Sequence, residues 1–583
     1  MASSMTSSSA SGRKWLSVSL TVALAGGALL SGCSNNNGEA GQTAEQASSQ
    51  PPSSSGEASK EATPSPEVKK DITVSVYDRG NVAQDEGTIE NNRWTKWINE
   101  NGPANVKFIA IPRTNPEEKI NVLYASGSGP DLLFEYAPNN RNMLYDQKQL
   151  MPIDDLIEQY SVNYKKLMED NPILKKLGTK SDGKLYEFGR FNWVNPQRGI
   201  LIRTDWLEKL NLKMPTTTEE LFEVAKAFTE QDPDGNGQKD TFGLSISGPS
   251  ELTLKQIFGS SNKWVVKDDQ LVIDWERRTE YNNYAKRLYD AGIVDRDFAA
   301  DKNGAKAQQD FINGKLGMYL FQNNNAMSIL QTLVDPLKKN VATAEVTFLA
   351  YPESEAGAFL PTLGNPVQMT AVVSATAKNP DAVIKYVDFL IEDSTSRTLS
   401  YGIEGTHYTM ANGFPEILDA DKHSKEVSTI TADMRMLQNG GLSFSKYDLP
   451  ALKYQSDPRH DEYQAFYDLF RDTYLTLDKP YPELTMSEHM PSLPKGLLTT
   501  DTNVEKSIDA IWLKAVVSGT KYTVEQALKD AQDMWKKNDG QAIEDWYKQW
   551  YIDNKDTAML EKDIKEIVKQ QMETYAAAKQ ELN

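Results

Sequence analysis

Ile72, Val74 and Val76 alternate with polar residues between Asp71 and Tyr77, and this period of two predicts a β-strand. A helical stretch follows around Trp94 and Trp97, then a second strand over Val106 to Ile111. Pro116 opens another helix, with Ile120, Leu123 and Tyr124 at helical spacing, and Ser126-Gly127-Ser128-Gly129-Pro130 ends it. Asp131 to Phe134 then reads as a short buried strand. Strand, helix, strand, helix, strand calls for right-handed crossovers and a largely parallel sheet, so the fold class is α/β. Farther along, Gly199 to Ile202 predicts a strand. Thr217 with Glu220 forms a capping box ahead of the apolar face made by Leu221, Val224, Ala225 and Phe228. Val367 to Ala375 predicts a strand, Asn379-Pro380 opens a helix through Leu390, and from about Ser507 onward the pattern is mostly helical.

The first seventy residues follow a different pattern. Arg13 and Lys14 precede an apolar run from Trp15 to Leu30, too short for a comfortable membrane span and of secretory-signal length. The run ends in Leu30-Ser31-Gly32-Cys33, which resembles the bacterial lipobox, so residues 1–32 are expected to be a cleaved lipoprotein signal peptide. Cys33 is then the lipidated N-terminus, thioether-linked to diacylglycerol, and two acyl chains hold a protein durably on a bilayer. Residues 33–70 contain Val68 as their only large apolar residue and are expected to be a disordered tether. The expected location is the extracellular face of the cell membrane.

Composition narrows the chemistry. The 583 residues allow two to four domains at about 150 residues each. Asp and Glu number 82 against 63 Lys and Arg, a net charge of −19 that repels a polyanion, so nucleic acid is not an expected partner. One cysteine excludes an intrachain disulfide and a multi-thiolate metal site. His407, His423, His460 and His489 are isolated, with no HExxH spacing; no phosphate loop occurs, and Gly243 to Ser247 lacks the last glycine of a nucleophile elbow.

Six segments in fixed order carry a family resemblance: Asp182-Gly183-Lys184-Leu185-Tyr186; Arg203 to Leu210; Pro215-Thr216-Thr217; Gly314-Lys315-Leu316-Gly317-Met318; Lys378-Asn379-Pro380; and Tyr401 to Tyr408. Together they resemble the extracellular solute-binding lipoproteins of bacterial ABC importers, in the long oligosaccharide-binding branch common in Gram-positive bacteria. The resemblance implies a two-lobe periplasmic-binding-protein-like fold with hinge strands, an interlobe cleft and a helical C-terminal part. It places lobe 1 at 71–195 plus 365–395 and lobe 2 at 196–364 plus 396–583. It also implies a monomer that takes an oligosaccharide and delivers it to permease subunits by lobe closure, without being an enzyme. Open α/β sheets bind beyond the carboxyl ends of their strands, which points independently to the loops there.

Asp232-Pro233-Asp234-Gly235-Asn236-Gly237-Gln238-Lys239-Asp240 reproduces positions 1, 3, 5, 7 and 9 of an EF-hand loop, with Gly237 at the sharp turn. Asp232, Asp234, Asn236, Gln238 through its carbonyl, and Asp240 are the expected ligands of a structural Ca2+, a role that related oligosaccharide-binding proteins support. Gly243 stands where a bidentate Glu would complete the loop, and a solvated acidic turn is the other reading. Sugar binding needs flat aromatic faces and planar polar groups. Trp193, Asn192 and Arg198, near the first expected crossing between lobes, form the leading cleft segment; Tyr136, Trp264, Asn323, Glu404 and His407 are further candidates. The leading function is capture of an oligosaccharide for import. A receptor for a non-sugar solute such as a peptide shares the fold, and a tethered glycoside hydrolase needs only a carboxylate pair across the sugar.

Overall fold

A computed structural model of the chain describes residues 68–411, 414–438, 457–481, 490 and 493–582. The signal segment, Cys33 and the tether as far as residue 67 lie outside them. Order starts slightly before the expected boundary: the Lys69 ammonium donates to the Asn99 and Glu100 carbonyls at 2.7 and 3.0 Å, and the first strand begins at Lys70.

The described strands, in chain order, are β1 (Lys70–Asp78), β2 (Ala104–Pro112), β3 (Leu132–Phe134), β4 (Glu187–Phe191), β5 (Arg198–Arg203), β6 (Phe242–Leu244), β7 (Trp264–Lys267), β8 (Gln270–Ile273), β9 (Leu316–Gln322), β10 (Val346–Phe348), β11 (Val367–Val373), β12 (Tyr408–Ala411) and β13 (Phe414–Ile417), the last two forming a small antiparallel pair. A first sheet has the order β2-β1-β3-β11-β4 and a second the order β10-β5-β9-β6. β1 runs parallel to β2 and β3, and β11 antiparallel to β3 and β4. In the second sheet β6 is parallel to β9, and β5 is antiparallel to both β9 and β10. β7 and β8 form a separate hairpin.

Local signals explain the helices between them. Asn92 caps the helix Arg93–Asn101, its side chain accepting from the Trp94 and Thr95 amides at 2.8 and 3.1 Å, and Trp94 and Ile98 are buried beneath. The Thr217/Glu220 capping box forms as the sequence predicts, and Leu221, Val224, Ala225 and Phe228 are the buried face of the helix Thr218–Glu230.

Among the described residues two stretches connect the sheets directly, and they run side by side. Asn192 N–H donates to the Pro366 carbonyl and Gln197 N–H to the Thr362 carbonyl, each at 2.8 Å, while Pro196 bridges Leu363. The direction of the strands then fixes what faces this ribbon. β4 leads into it, β11 leaves it, and β11 is antiparallel to β3, so the carboxyl ends of β1, β2 and β3 point toward it. On the other side β5 leaves the ribbon with Arg198 opposite Gln322, so the carboxyl ends of β9 and β6 point toward it as well.

Each sheet has its own core. Val74, Val76, Leu132, Phe188 and Val372 belong to the first, and Ile200, Leu201, Phe228, Leu320 and Phe321 to the second. Leu399, Val427, Ile430, Met434 and Leu437 also pack into the first core, so the expected boundary at 395 is corrected: the chain through 438 stays with the first sheet. The α-helix His460–Tyr474 packs on the second sheet through Phe470 and Tyr474. A third, helical core joins the β7–β8 hairpin to helices Lys495–Val517, Val524–Lys537 and Gly540–Asn554. The last helix, Glu561–Leu582, packs Ile564 and Val568 on the ribbon, where Gln571 accepts from Val194 N–H at 2.8 Å and donates to the Asn192 carbonyl at 3.1 Å. Among the described residues no helix is long and apolar enough to cross a membrane.

Candidate ligand site

The carboxyl ends of the first sheet gather aromatic rings and guanidinium groups. β1 ends with Tyr77 and Asp78 and is followed by Arg79, β2 is followed by Arg113, and β3 by Glu135 and Tyr136. Tyr77 and Tyr136 stack with centroids 5.7 Å apart and planes within 5°, and the Arg113 guanidinium lies 4.9 and 5.2 Å from the two rings. The Tyr77 hydroxyl donates to Glu135 Oε1 at 2.7 Å; burial, then this carboxylate, pushes its pKa far above the usual phenol value. Glu135 also accepts from Ala137 N–H and Asn140 Nδ2, so three donors share its two oxygens.

Two further elements complete the cluster. The stretch after Thr429–Thr431 brings Asp433, which binds Arg79 through Nε and Nη2 at 2.6 and 2.9 Å and accepts from the Tyr136 hydroxyl at 3.2 Å. β4 brings Arg190, whose Nε and Nη2 donate to Gln368 Oε1 on β11 at 3.2 and 2.8 Å. Burial holds the Arg190 and Arg435 guanidinium pKa values below their ordinary position, and for Arg435 the positive charge of Arg190 adds to the effect.

Opposite, the second sheet offers neutral polar groups. Gln322 ends β9 exposed; Asn323 follows it, half-buried, with Nδ2 on Ser328 Oγ at 3.0 Å, and exposed Asn324 and Asn325 come next. Ser245 and Ser247 follow β6, and Ser247 donates to Asp301 at 3.0 Å.

The candidates read from sequence fall into three groups. Tyr136 and Asn323 stand at strand carboxyl ends. Trp193 and Asn192 lie in the ribbon and Arg198 begins β5, but Asn192 and Arg198 are engaged with the backbone: Asn192 Nδ2 donates to the Asn365 carbonyl at 2.9 Å and Arg198 Nη1 to that of Pro249 at 2.8 Å. Trp193 is half-buried, its indole N–H donating to the Tyr467 hydroxyl at 3.2 Å and its ring 5.0 Å from the Arg471 guanidinium. Trp264 is corrected: at 3% exposure it packs on Tyr547 in the helical core and has no face for a ligand. His407 is corrected as well, being 2% exposed, with Nδ1 accepting from Ile403 N–H at 3.0 Å and Nε2 3.2 Å from Glu426. Exposed Glu404 sits in the turn beside it, bridging Tyr408. Tyr77, Arg79, Arg113, Asp433 and Arg435 were not singled out from sequence. Tyr77 ends its predicted strand, and Arg79 and Arg113 lie two residues past theirs, whereas no predicted element flags Asp433 or Arg435.

The acidic loop 232–240 is tightly turned, with φ of 49° at Asp232, 75° at Gly235 and 76° at Gly237. The Asp232 carboxylate accepts from the Asn236 and Gly237 amides, each at 3.1 Å. Asn236 Nδ2 bridges Asp234 and Asp240 at 2.7 and 3.1 Å, and Lys315 pairs with Asp240 at 2.8 Å. Burial and the Asp232 carboxyl raise the Asp234 pKa. Among the described residues no three acidic, His or Cys side chains converge closely enough to hold a metal.

The sequence profile of the bacterial extracellular solute-binding proteins matches residues 89–395. This chain belongs to that family. The solute-binding protein is 30% identical over 307 residues to the polygalacturonan/rhamnogalacturonan-binding protein YtcQ of Bacillus subtilis, a match spanning 51% of this chain and 60% of YtcQ. Its fold matches an extracellular solute-binding protein from Bifidobacterium longum subsp. infantis with a TM-score of 0.60, at 18% identity over 83% of this chain and 98% of that one. It also matches an EF-hand mutant of the substrate-binding protein FusA of Streptococcus pneumoniae in complex with fructo-nystose, with a TM-score of 0.55, at 17% identity over 83% and 100% of the two chains. The sheets joined by a double crossing are the mixed α/β, two-lobe architecture of these proteins.

Proposed function

We propose that this solute-binding protein captures an oligosaccharide between its two sheets and presents it to the permease of an ABC importer at the outer face of the cell membrane. The observation that carries the reading is topological: the carboxyl ends of both sheets face one ribbon, and one side supplies a stacked tyrosine pair where the other supplies exposed amides. Tyr136, Trp193, Gln322 and Asn323 are the proposed sugar contacts. The sugar complex of FusA and the polysaccharide binding that gives YtcQ its description support the ligand class. The proposed lobes are 71–195 with 365–438, and 196–364 with 457–582; they close about the ribbon. Cys33 is the proposed lipid anchor, and the chain acts as a monomer.

The 232–240 loop is proposed to hold a structural Ca2+, supported by its alternate oxygen donors and by the EF-hand of FusA. The residues fit such an ion. Asn236 presents an amide nitrogen to two carboxylates while its oxygen accepts from Gln238 N–H at 2.6 Å, so a half-turn that places the oxygen between Asp234 and Asp240 exchanges that bond for coordination of the ion. A bound calcium would supply charge neutralisation there.

Binding separates from turnover in one experiment. The protein is titrated calorimetrically with a panel of plant and microbial oligosaccharides, and each mixture is chromatographed afterwards. Saturable one-to-one binding with the sugar recovered intact is expected; product formation, or a panel in which nothing binds, overturns the reading.

A further inference from the structure

Charge at the carboxyl ends of the first sheet does not balance. Among the described residues, four guanidinium groups, from Arg79, Arg113, Arg190 and Arg435, share the site with two buried carboxylates, from Asp433 and Glu135, while Asp78 at the end of β1 is exposed. Asp433 is already gripped by Arg79 through two nitrogens, and Glu135 accepts from a phenol, a backbone amide and an asparagine instead of a cation. Arg113 rests on tyrosine rings, Arg190 on a neutral glutamine oxygen, and neither they nor Arg435 has an ion-pair partner among the described residues. The Nε of Arg435 is buried with no hydrogen-bond acceptor among those residues.

Such an arrangement is costly unless something completes it. Removing a guanidinium from water without a counter-charge is strongly unfavourable, and Arg190 and Arg435 also repel each other across the site. The surplus is local, because the whole chain carries a net charge of −19. Nothing in the general electrostatics of this protein asks for a positive patch, so its place beyond three parallel strands, beside stacked rings, points to the ligand.

We propose that the ligand is an acidic oligosaccharide, a chain containing uronic acid whose carboxylates are received by Arg113, Arg190 and Arg435. The proposal rests on the oligosaccharide reading above and specifies its chemistry. A planar carboxylate meets a guanidinium fork through two parallel N–H···O bonds, which hydroxyl groups cannot reproduce, and half-buried Tyr136, stacked on the buried Tyr77 ring, provides an apolar wall for the face of a sugar ring. Arg79, tied to Asp433, holds that wall in register because the Tyr136 hydroxyl donates to Asp433.

The test uses calorimetry on the purified protein with oligomers of galacturonate, of mannuronate and guluronate, and of glucuronoxylan, the methyl esters of the same oligomers, and neutral oligosaccharides of matched length. At least one uronate series should bind, its methyl ester should bind about 30-fold more weakly or worse, and added salt should weaken the acid far more than any neutral sugar. Arg190→Gln should remove the preference for acid over ester, Arg190→Lys should restore part of it, and melting curves confirm that both variants fold. Should neutral sugars bind as tightly as the acids, or ester and acid bind alike, the charge assignment falls while the oligosaccharide reading stands. Should no member of any series bind, both fall. Equal loss for acid and ester in Arg190→Gln would mark a structural role for Arg190 and overturn the proposal.

Discussion

Tyr474→Phe tests how the second sheet opens into the ribbon. β10 pairs with β5 as far as Phe348 opposite Leu201, Leu349 N–H still donates to the Ile200 carbonyl at 2.9 Å, and there the two strands part. The Tyr474 hydroxyl enters that gap: it accepts from Ile200 N–H at 2.8 Å and donates to the Leu349 carbonyl at 2.8 Å, standing in for the next rung of the ladder. Burial raises its pKa well above the ordinary phenol value, so the proton that donates is always present. Phenylalanine keeps the ring among Phe348, Phe470 and Tyr351, with centroids 5.6 to 6.0 Å away, and removes only the oxygen. What remains is a buried amide and a buried carbonyl without partners, a loss of about 2 kcal/mol. A chain of several cores does not unfold in one step, so a global melting point dilutes the effect. Hydrogen exchange at the Ile200 amide reads it locally, and 2 kcal/mol corresponds to exchange about 30-fold faster. Exchange within about twofold of the parent protein would refute the bridging role.

Three further outcomes are expected. Chelation should lower the melting temperature, and calcium at about 100 times its Kd should restore about 2.7 kcal/mol; melting that ignores both removes the metal from the 232–240 loop. Trp193→Ala should weaken oligosaccharide binding strongly in calorimetry while circular dichroism stays native, and unchanged affinity excludes Trp193 from the site. Burial works to raise the Glu505 pKa, but ion pairs with Arg278 at 2.9 Å and with Lys263 hold it below the usual glutamate value. Its contribution is therefore complete above the unfolded carboxyl pKa and is lost as pH falls through the lower folded one. Glu505→Gln should melt earlier than the parent at neutral pH, and the gap should close in acid; a gap independent of pH contradicts the pairing.

Elements with strong local signals were legible in the sequence. Alternation over Ile72, Val74 and Val76, the Pro116 helix and the Thr217/Glu220 box all fold as read, because each is decided within a few residues. What the sequence hides is assembly at long range. Trp264 sits among polar neighbours, as a ligand face would, yet helices more than two hundred residues later close over it. His407 reads as a free polar group until Trp94 and Glu426 are brought against it. Tyr77 and Tyr136 meet only because β1 and β3 are adjacent, and Asp433 reaches Arg79 across 354 positions. The rule that ligands gather past strand carboxyl ends located the place, but not the residues that later segments bring to it.

Capture as proposed here requires a clamp whose halves approach when sugar enters. Small-angle scattering of the protein alone and saturated with a binding oligosaccharide measures this directly. A smaller radius of gyration and a shorter maximum dimension in the complex are expected, whereas identical curves at proven saturation would show that capture needs no closure.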